Sequence, residues 1–318
     1  MKKSNGIDFI KKLAIYIVLL FLIISITFFA INFLVEPQIK KNIAVYENIS
    51  PNYWNRYTEF LSNLFTFKSG KIYSQELASA NMSILQIYFY QFKWTLLFTI
   101  LIFTFSLIIG NLLGVWSAYK FEKTPDFIIN LIIGLLSVIP LIIIAIIALS
   151  SSLFLGYPSQ FIFNPGLSFI SLLVPIFIMM FGCISLFHAR SRKAVREILK
   201  SEYYLFATSL GFSKIKLFNK VILKQLVINQ LQIIVPYYLL LFTTSLAIER
   251  IFSIPGQSVF ISYIFSKGEI NMITFYFTFS FFVIMIFKYI NDIILDKINP
   301  QQISLRQKLI IKKARVVR

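Results

Sequence analysis

Cysteine and histidine are nearly missing from this 318-residue chain, which holds one of each, Cys183 and His188. A single cysteine excludes an internal disulfide framework, and the two together cannot build a Cys/His metal cluster. Acidic residues are scarce too, 13 against 31 Lys and Arg, and charged residues make up only 14% of the sequence. No Gly-x4-Gly-Lys-Ser/Thr phosphate loop occurs. The nearest candidate, Gly70 and Lys71, lacks the upstream glycine and follows no expected strand, so the chain is not expected to be an ATPase.

What fills the sequence instead is apolar surface. Hydrophobic residues reach 58% and the mean hydropathy is +0.77. No soluble domain of this size could hide that much, which predicts a membrane protein. Its 35 Phe and 16 Tyr suit helix contacts and membrane interfaces. The formal net charge of +18 is dispersed among the apolar stretches rather than gathered into a basic domain, so it points to orientation in a membrane and to no nucleic-acid partner.

Uncharged runs cover Leu13 to Val35, Trp94 to Tyr119, Gln225 to Ile248 and Ile270 to Phe287, each near the roughly 20 residues that a spanning helix needs. Between Phe127 and Ala189 there is no Asp, Glu, Lys or Arg. Gly156, Tyr157 and Pro158, then Asn164, Pro165 and Gly166, divide that stretch into spans at about Phe127 to Leu149 and Leu167 to Phe187. The first run follows Lys2, Lys3, Lys11 and Lys12, as a signal peptide would. It is too long for an h-region and lacks an Ala-x-Ala exit, so it reads as a retained first helix. The expected fold is all-α and polytopic, with six transmembrane helices, because lipid leaves no water to satisfy open backbone. With the N-terminus inside, the inner segments hold 23 of the 31 basic residues, placing both termini in the cytoplasm of a multi-pass protein of the cell membrane.

Two segments stand outside the spans. In the outer stretch Glu36 to Lys93, Tyr53, Tyr57, Phe60, Leu61 and Leu64 recur at helical spacing, predicting a short amphipathic helix at the membrane surface. The basic stretch Ser191 to Lys224 is long enough for two short helices. Ile198, Leu199, Tyr203, Phe206 and Leu210 fall near one helical face, Gly211 permits the left-handed residue that ends a helix, and Ser213 can cap the next. The expected organisation is therefore residues 1–93 as first helix and outer segment, 94–299 as the main transmembrane domain, and 300–318 as a basic tail, disordered or bound to lipid headgroups, with Lys308, Lys312, Lys313, Arg315 and Arg318.

Glu202, Ala207 and Gly211, with Leu223 and Lys224 after the turn, resemble the "EAA" loop of binding-protein-dependent ABC importers. Upstream, Arg192, Glu197, Leu199, Lys200 and Tyr203 match the variant of the oligopeptide/dipeptide/nickel permeases. Thr95 and Leu96, then Gly110, Gly114, Val115 and Ala118, are similar to that family's Gly-x-x-x-Gly-Val stretch, and Asp126 with Ser137 to Pro140 to its next span. Glu249, Arg250, Ile251, Phe252 and Ser253, followed by Pro255 and Gly256, look like its E-x-I-F-S-x-P-G segment. Asp292 with Asn299 and Pro300 resembles its closing D-x6-D-P, with Asn for the second Asp. The long outer segment resembles that of the family's first-permease subunit, and Arg56, Tyr57, Phe60 and Leu64 fit it loosely, while the usual Gly-Asp-Leu-Gly is replaced by residues Phe67 to Gly70. Leu205, Thr208 and Leu210 stand where the family's loop is usually basic, which implies a more apolar docking surface.

The resemblance implies a six-helix domain of ABC importer type with a cytoplasmic coupling-helix loop. It implies a second homologous permease, two cytoplasmic ATPase subunits that bind the ATP and Mg, an extracytoplasmic substrate-binding protein and surrounding lipid as partners. Within the chain, Glu202, Tyr203, Ala207 and Gly211 would couple to an ATPase subunit. Glu249 and Arg250, with Pro255 and Gly256 breaking the helix, are the candidate outer gate, though an interfacial anchor is the plainer role for the charged pair. His188 is expected at the inner interface and Cys183 as a small packing residue. Peptide import is the expected function, with chelated nickel as another cargo. A secondary transporter would need ionisable groups at span centres, and none is there. An intramembrane enzyme would need a nucleophile with a base in reach, and Ser150 to Ser152 have no evident partner.

Overall fold

A computed structural model describes residues 2–79 and 81–298. Every regular element among them is helical. The first half of the chain forms α1 (Lys2–Lys41), α2 (Ile43–Tyr46), α3 (Tyr53–Phe65), α4 (Gln75–Ala78), α5 (Ile84–Tyr119), α6 (Thr124–Val138) and α7 (Leu141–Leu155). The second half forms α8 (Leu167–Leu199), α9 (Glu202–Ser209), α10 (Lys214–Leu217), a π-helical turn Phe218–Ile222, α11 (Leu223–Leu231), α12 (Ile234–Ile251), α13 (Gln257–Lys267) and α14 (Ile270–Ile298). Five helices are long and apolar enough to cross a membrane, and α6 with α7, bent by 86° at their junction, make a sixth span if counted as one. The chain is thus an all-α, polytopic membrane protein. The basic tail from Pro300, and the Asn299 and Pro300 of the closing motif, lie outside the described residues.

The spans depart from the expected bounds for physical reasons. Helix α8 does not stop at Phe187 but runs on through the basic residues to Leu199, because charges on a helix surface do not end a helix. Ile198 and Leu199 therefore belong to α8, while Tyr203, Phe206 and Leu210 follow a break at Lys200 and Ser201, and the single five-residue face is not formed. The third span is broken at Ile139 and Pro140, since proline has no N–H and clashes with the preceding turn. The fifth is interrupted at Gln232 and Ile233.

The structure divides into two compact units. One comprises residues 1–96 and 254–289. Its α3 is the expected amphipathic helix, and its aromatic face packs on α1. Phe60 stacks on Phe28 at 4.9 Å, Tyr57 lies 5.0 Å from Phe29, and the Tyr57 hydroxyl meets Ser25 Oγ at 2.7 Å. Arg56, buried on the same helix, donates to Glu36 at 3.0 Å, so this charge enters the core with its counter-ion. Tyr88 anchors a second cluster, stacked on Phe92 and edge-on to Phe260, Phe275 and Phe279. Gln257, at the start of α13, donates its side-chain amide to the Tyr88 hydroxyl and its backbone N–H to Thr95, both at 2.8 Å. Between α13 and α14 the wholly buried Glu269 accepts hydrogen bonds from the backbone N–H groups of Tyr73, at 3.2 Å, and Ser74. Burial raises its carboxyl pKa above the ordinary glutamate value, partly offset by those two donors.

The other unit comprises residues 97–253 and those described from Ile290 onward. Two glycines set its closest helix contact. A Cβ on Gly110 would stand 2.6 Å from Phe187 Cβ, and one on Gly114 2.6 Å from Ser191 Cβ, so α5 and α8 approach there with no room for a methyl group. Phe187 packs edge-on to Phe103 and Tyr237, and Gln230 on α11 donates to Asn111 on α5 at 2.7 Å. His188 is buried in this packing at 2% exposure.

Candidate functional site: a clamped elbow

Helix α8 ends because Lys200 and Ser201 leave the helical path, Ser201 taking extended φ and ψ of −76° and 145°. After the eight residues of α9 the helix is closed by Gly211, whose φ of +76° is the left-handed conformation that side chains resist. The Gly211 N–H bonds to Thr208 O at 3.0 Å and the Phe212 N–H reaches Ala207 O at 3.5 Å, the paired bonds of a Schellman stop. The Ser213 hydroxyl then accepts from Lys216 N at 3.4 Å and caps α10. The elbow expected at Gly211 is thus formed.

Its two faces differ. Ala207 is the buried residue of α9, and Tyr204 packs partly against a core of Ala118, Val195, Ile198, Ile222 and Leu226. That core holds both legs of the elbow, the end of α8 and the π-helical turn entering α11, against the end of α5. Opposite, Tyr203, Phe206 and Leu210 stand at helical spacing, each more than half exposed, and Leu205 is equally open. An apolar cap on an otherwise basic loop leaves a surface that water does not favour. Glu202 begins α9 exposed, where a carboxylate suits the positive helix end. The four residues expected to couple are gathered on one short helix and its stop, with Ala207 buried and Tyr203 exposed.

Behind the elbow, α8 is held by a polar clamp that the sequence did not reveal as a pair. Arg192 on α8 forks onto Asp126 at the start of α6, Nε to Oδ1 at 2.8 Å and Nη2 to Oδ2 at 2.7 Å. Asp126 also accepts from the Ser117 hydroxyl, from Asn130 at 2.7 Å and from the Glu122 N–H at 3.1 Å. The Arg192 and Arg196 guanidinium groups cover the Phe121 ring at 5.0 and 3.5 Å. Both members of the ion pair lie in stretches that resembled a known family, and the one available signal was that Asp126 is the single charged residue matched in its stretch while Arg192 is among the charges matched in the other.

The candidate outer-gate residues fall in both units. Glu249, wholly buried, and Arg250, exposed, end α12 in the second unit. Pro255 and Gly256 belong to the first unit and do break the helix, in the turn between Ile251 and Gln257. No group of three or more His, Cys, Asp or Glu residues able to hold a metal occurs among the described residues.

Residues 110–303 match the model of a family described as binding-protein-dependent transport system inner membrane component. The chain is 25% identical over 263 residues to the dipeptide transport system permease protein DppB of Lactococcus lactis subsp. cremoris, an alignment covering 78% of this chain and 82% of that protein. It is 24% identical over 282 residues to the oligopeptide transport system permease protein OppB of Mycoplasma genitalium, covering 84% and 69%. The elbow, the glycine contact and the Asp126–Arg192 clamp all lie inside the matched region, which takes in more than half of the sequence. The chain belongs to the binding-protein-dependent transport system inner membrane component family.

Proposed function

We propose that the chain is one of two permease subunits of an ATP-driven importer for oligopeptides or dipeptides. The observation that carries the reading is the elbow: a short helix closed by Gly211, capped outward by Tyr203, Phe206 and Leu210, and mounted on a clamped α8. Such an element transmits motion because it can neither slide nor melt easily. A cytoplasmic ATPase subunit that accepts an apolar cap is the partner it fits, and ATP and Mg belong to a pair of such subunits. A second permease completes the pathway and an extracytoplasmic binding protein delivers the cargo. The names of the two relatives support peptides as that cargo. The excess of basic residues on one side of the spans supports a cell-membrane protein with both termini inside.

In this reading the chain has no catalytic step of its own. It lines the path and moves, and hydrolysis takes place on its partners. Uptake of a labelled peptide is measured in cells depleted of ATP while the proton gradient is held. Uptake is expected to stop. Uptake driven by an imposed ion gradient without ATP would refute the assignment in favour of ion-coupled transport.

A further inference from the structure

A cavity of about 420 Å³ opens in the second unit where the α6–α7 junction faces α8 and α12. Its origin is the break at Ile139 and Pro140, both in extended conformation, within the stretch read as the third span. Non-helical backbone at membrane depth is tolerated only where it is buried in protein or lines a water-filled cavity. Here Val138 is 80% and Ile139 44% exposed, so the chain does not bury the break itself. Across the cavity, Gly182 interrupts the apolar face of α8, and a Cβ there would meet nothing within 4 Å. A glycine inside a helix costs about 1 kcal/mol relative to alanine. At Gly182 it leaves space open, unlike Gly110 and Gly114, where it permits contact.

The lining sets the chemistry of what can enter. No Asp, Glu, Lys or Arg touches the cavity; the polar groups there are the hydroxyls of Ser137, Ser185, Tyr237 and Thr244 and the thiol of Cys183, among aliphatic and aromatic side chains. An uncharged apolar group with room for an aromatic ring fits both the walls and the volume, which is that of a small-ligand pocket. At the break, the last turn of α6 offers carbonyls and the first turn of α7 offers N–H groups without helical partners. An amide linkage, with one donor and one acceptor, complements that pair. A lipid chain satisfies the walls but not the break.

We propose that this cavity is a subsite of the transport path that receives an apolar side chain of the carried peptide, with the peptide's backbone amide at the Ile139–Pro140 break. The proposal rests on the reading of the chain as a peptide permease. The complete transporter is reconstituted in liposomes with saturating binding protein, and uptake of Ala-Phe-Ala is compared with that of Ala-Ala-Ala. Gly182→Leu fills the cavity and is expected to lower Ala-Phe-Ala uptake about tenfold relative to Ala-Ala-Ala, the low end of what losing an apolar pocket does to discrimination. On the unaltered complex, maleimide modification of Cys183, read by mass spectrometry, is expected to slow with Ala-Phe-Ala and not with Ala-Ala-Ala. An equal loss of both peptides in the variant would overturn the subsite and assign the cavity to packing against another subunit. Cys183 protection that follows lipid content and ignores peptide would overturn it in favour of a lipid chain. An unaltered transporter that moves neither peptide would sink the peptide reading itself, an outcome distinct from the other two.

Discussion

Gly211→Val tests the elbow with a perturbation that the structure makes unusually clean. Nothing lies within 4 Å of where its Cβ would stand, so the substitution creates no clash and acts through the backbone alone. A φ of +76° costs an ordinary residue about 1 to 2 kcal/mol, and a β-branched side chain sits at the upper end. That shifts the balance between the formed and opened elbow by roughly five- to thirtyfold. It remains small beside the insertion of several apolar spans, so membrane abundance should hold. Co-purification of the ATPase subunits and substrate-stimulated ATP hydrolysis should fall by a comparable factor. Gly211→Asn is the informative partner, since asparagine visits the left-handed region routinely and should restore most of the coupling. Gly134→Ala, inside α6 and equally free of neighbours, controls for loss of a glycine as such. If the Val and Asn variants behave alike, or the Val variant couples normally, the left-handed stop is not what the ATPase reads and the elbow's role must be withdrawn.

Three further outcomes follow from the same geometry. Asp126→Ala should strand a largely buried guanidinium and lower stability by up to about 3 kcal/mol, the low end for a broken buried pair because Arg192 stays a quarter exposed, read as a lower thermal midpoint in detergent; Arg192→Lys, which keeps the charge but loses the fork, should lose part of that, and an unchanged midpoint in both would dismiss the clamp. Gly114→Ala would bring a methyl within 2.6 Å of Ser191 Cβ and 2.8 Å of the His188 carbonyl, a backbone atom that cannot rotate away, so a loss of about 1 to 3 kcal/mol is expected, with wild-type stability counting against the close approach of α5 and α8. For Glu269, whose carboxyl pKa is raised by burial, stability is fully present below the ordinary glutamate value of about 4.3 and is lost as pH rises through the folded value; Glu269→Gln keeps an acceptor for the Tyr73 and Ser74 N–H groups and should flatten that part of the pH profile of thermal unfolding, whereas an unaltered profile would place the dependence elsewhere.

What could be read from the sequence was what acts locally or over the thickness of a bilayer. Uncharged runs located the spans because their length is set by the membrane and not by their neighbours. Gly211 and Ser213 announced the elbow because a helix stop and a cap depend on a few adjacent residues. Tertiary partnership was not legible. Asp126 and Arg192 are 66 positions apart, and neither stretch by itself says that they meet. The spacing of Tyr57 and Phe60 correctly marked an apolar face on α3 but could not say that it would pack on Phe28 and Phe29 of α1. Charge misled at the end of the fourth span, where the basic residues suggested that the span stopped near Phe187 and a separate short helix followed, although Arg192 and Arg196 lie on the same α8 over Phe121.

The unbroken course of α8 joins features that would otherwise be separate. Gly182 opens the cavity from its middle, Gly110 and Gly114 of α5 grip it at Phe187 and Ser191, Asp126 holds it at Arg192, and Ile198 and Leu199 pass into the core beneath the elbow. From Gly182 to Leu199 is about 26 Å at helical rise. Over that length the close contact at the glycines and the ion pair oppose local displacement of α8. In the proposed coupling, a push on α9 would reach the cavity wall through α8. The α6–α7 junction lies on the far side of the same cavity, where Pro140 has already removed the helical restraint. One wall is stiff and clamped and the facing wall is jointed, so displacement of α8 changes the width of the cavity between them rather than carrying both walls together. If the proposed coupling and the proposed cargo subsite both hold, they meet on α8, and the Gly211 and Gly182 variants should fail differently: the first by weakening ATP-linked motion for every peptide, the second by selecting among peptides while that motion continues.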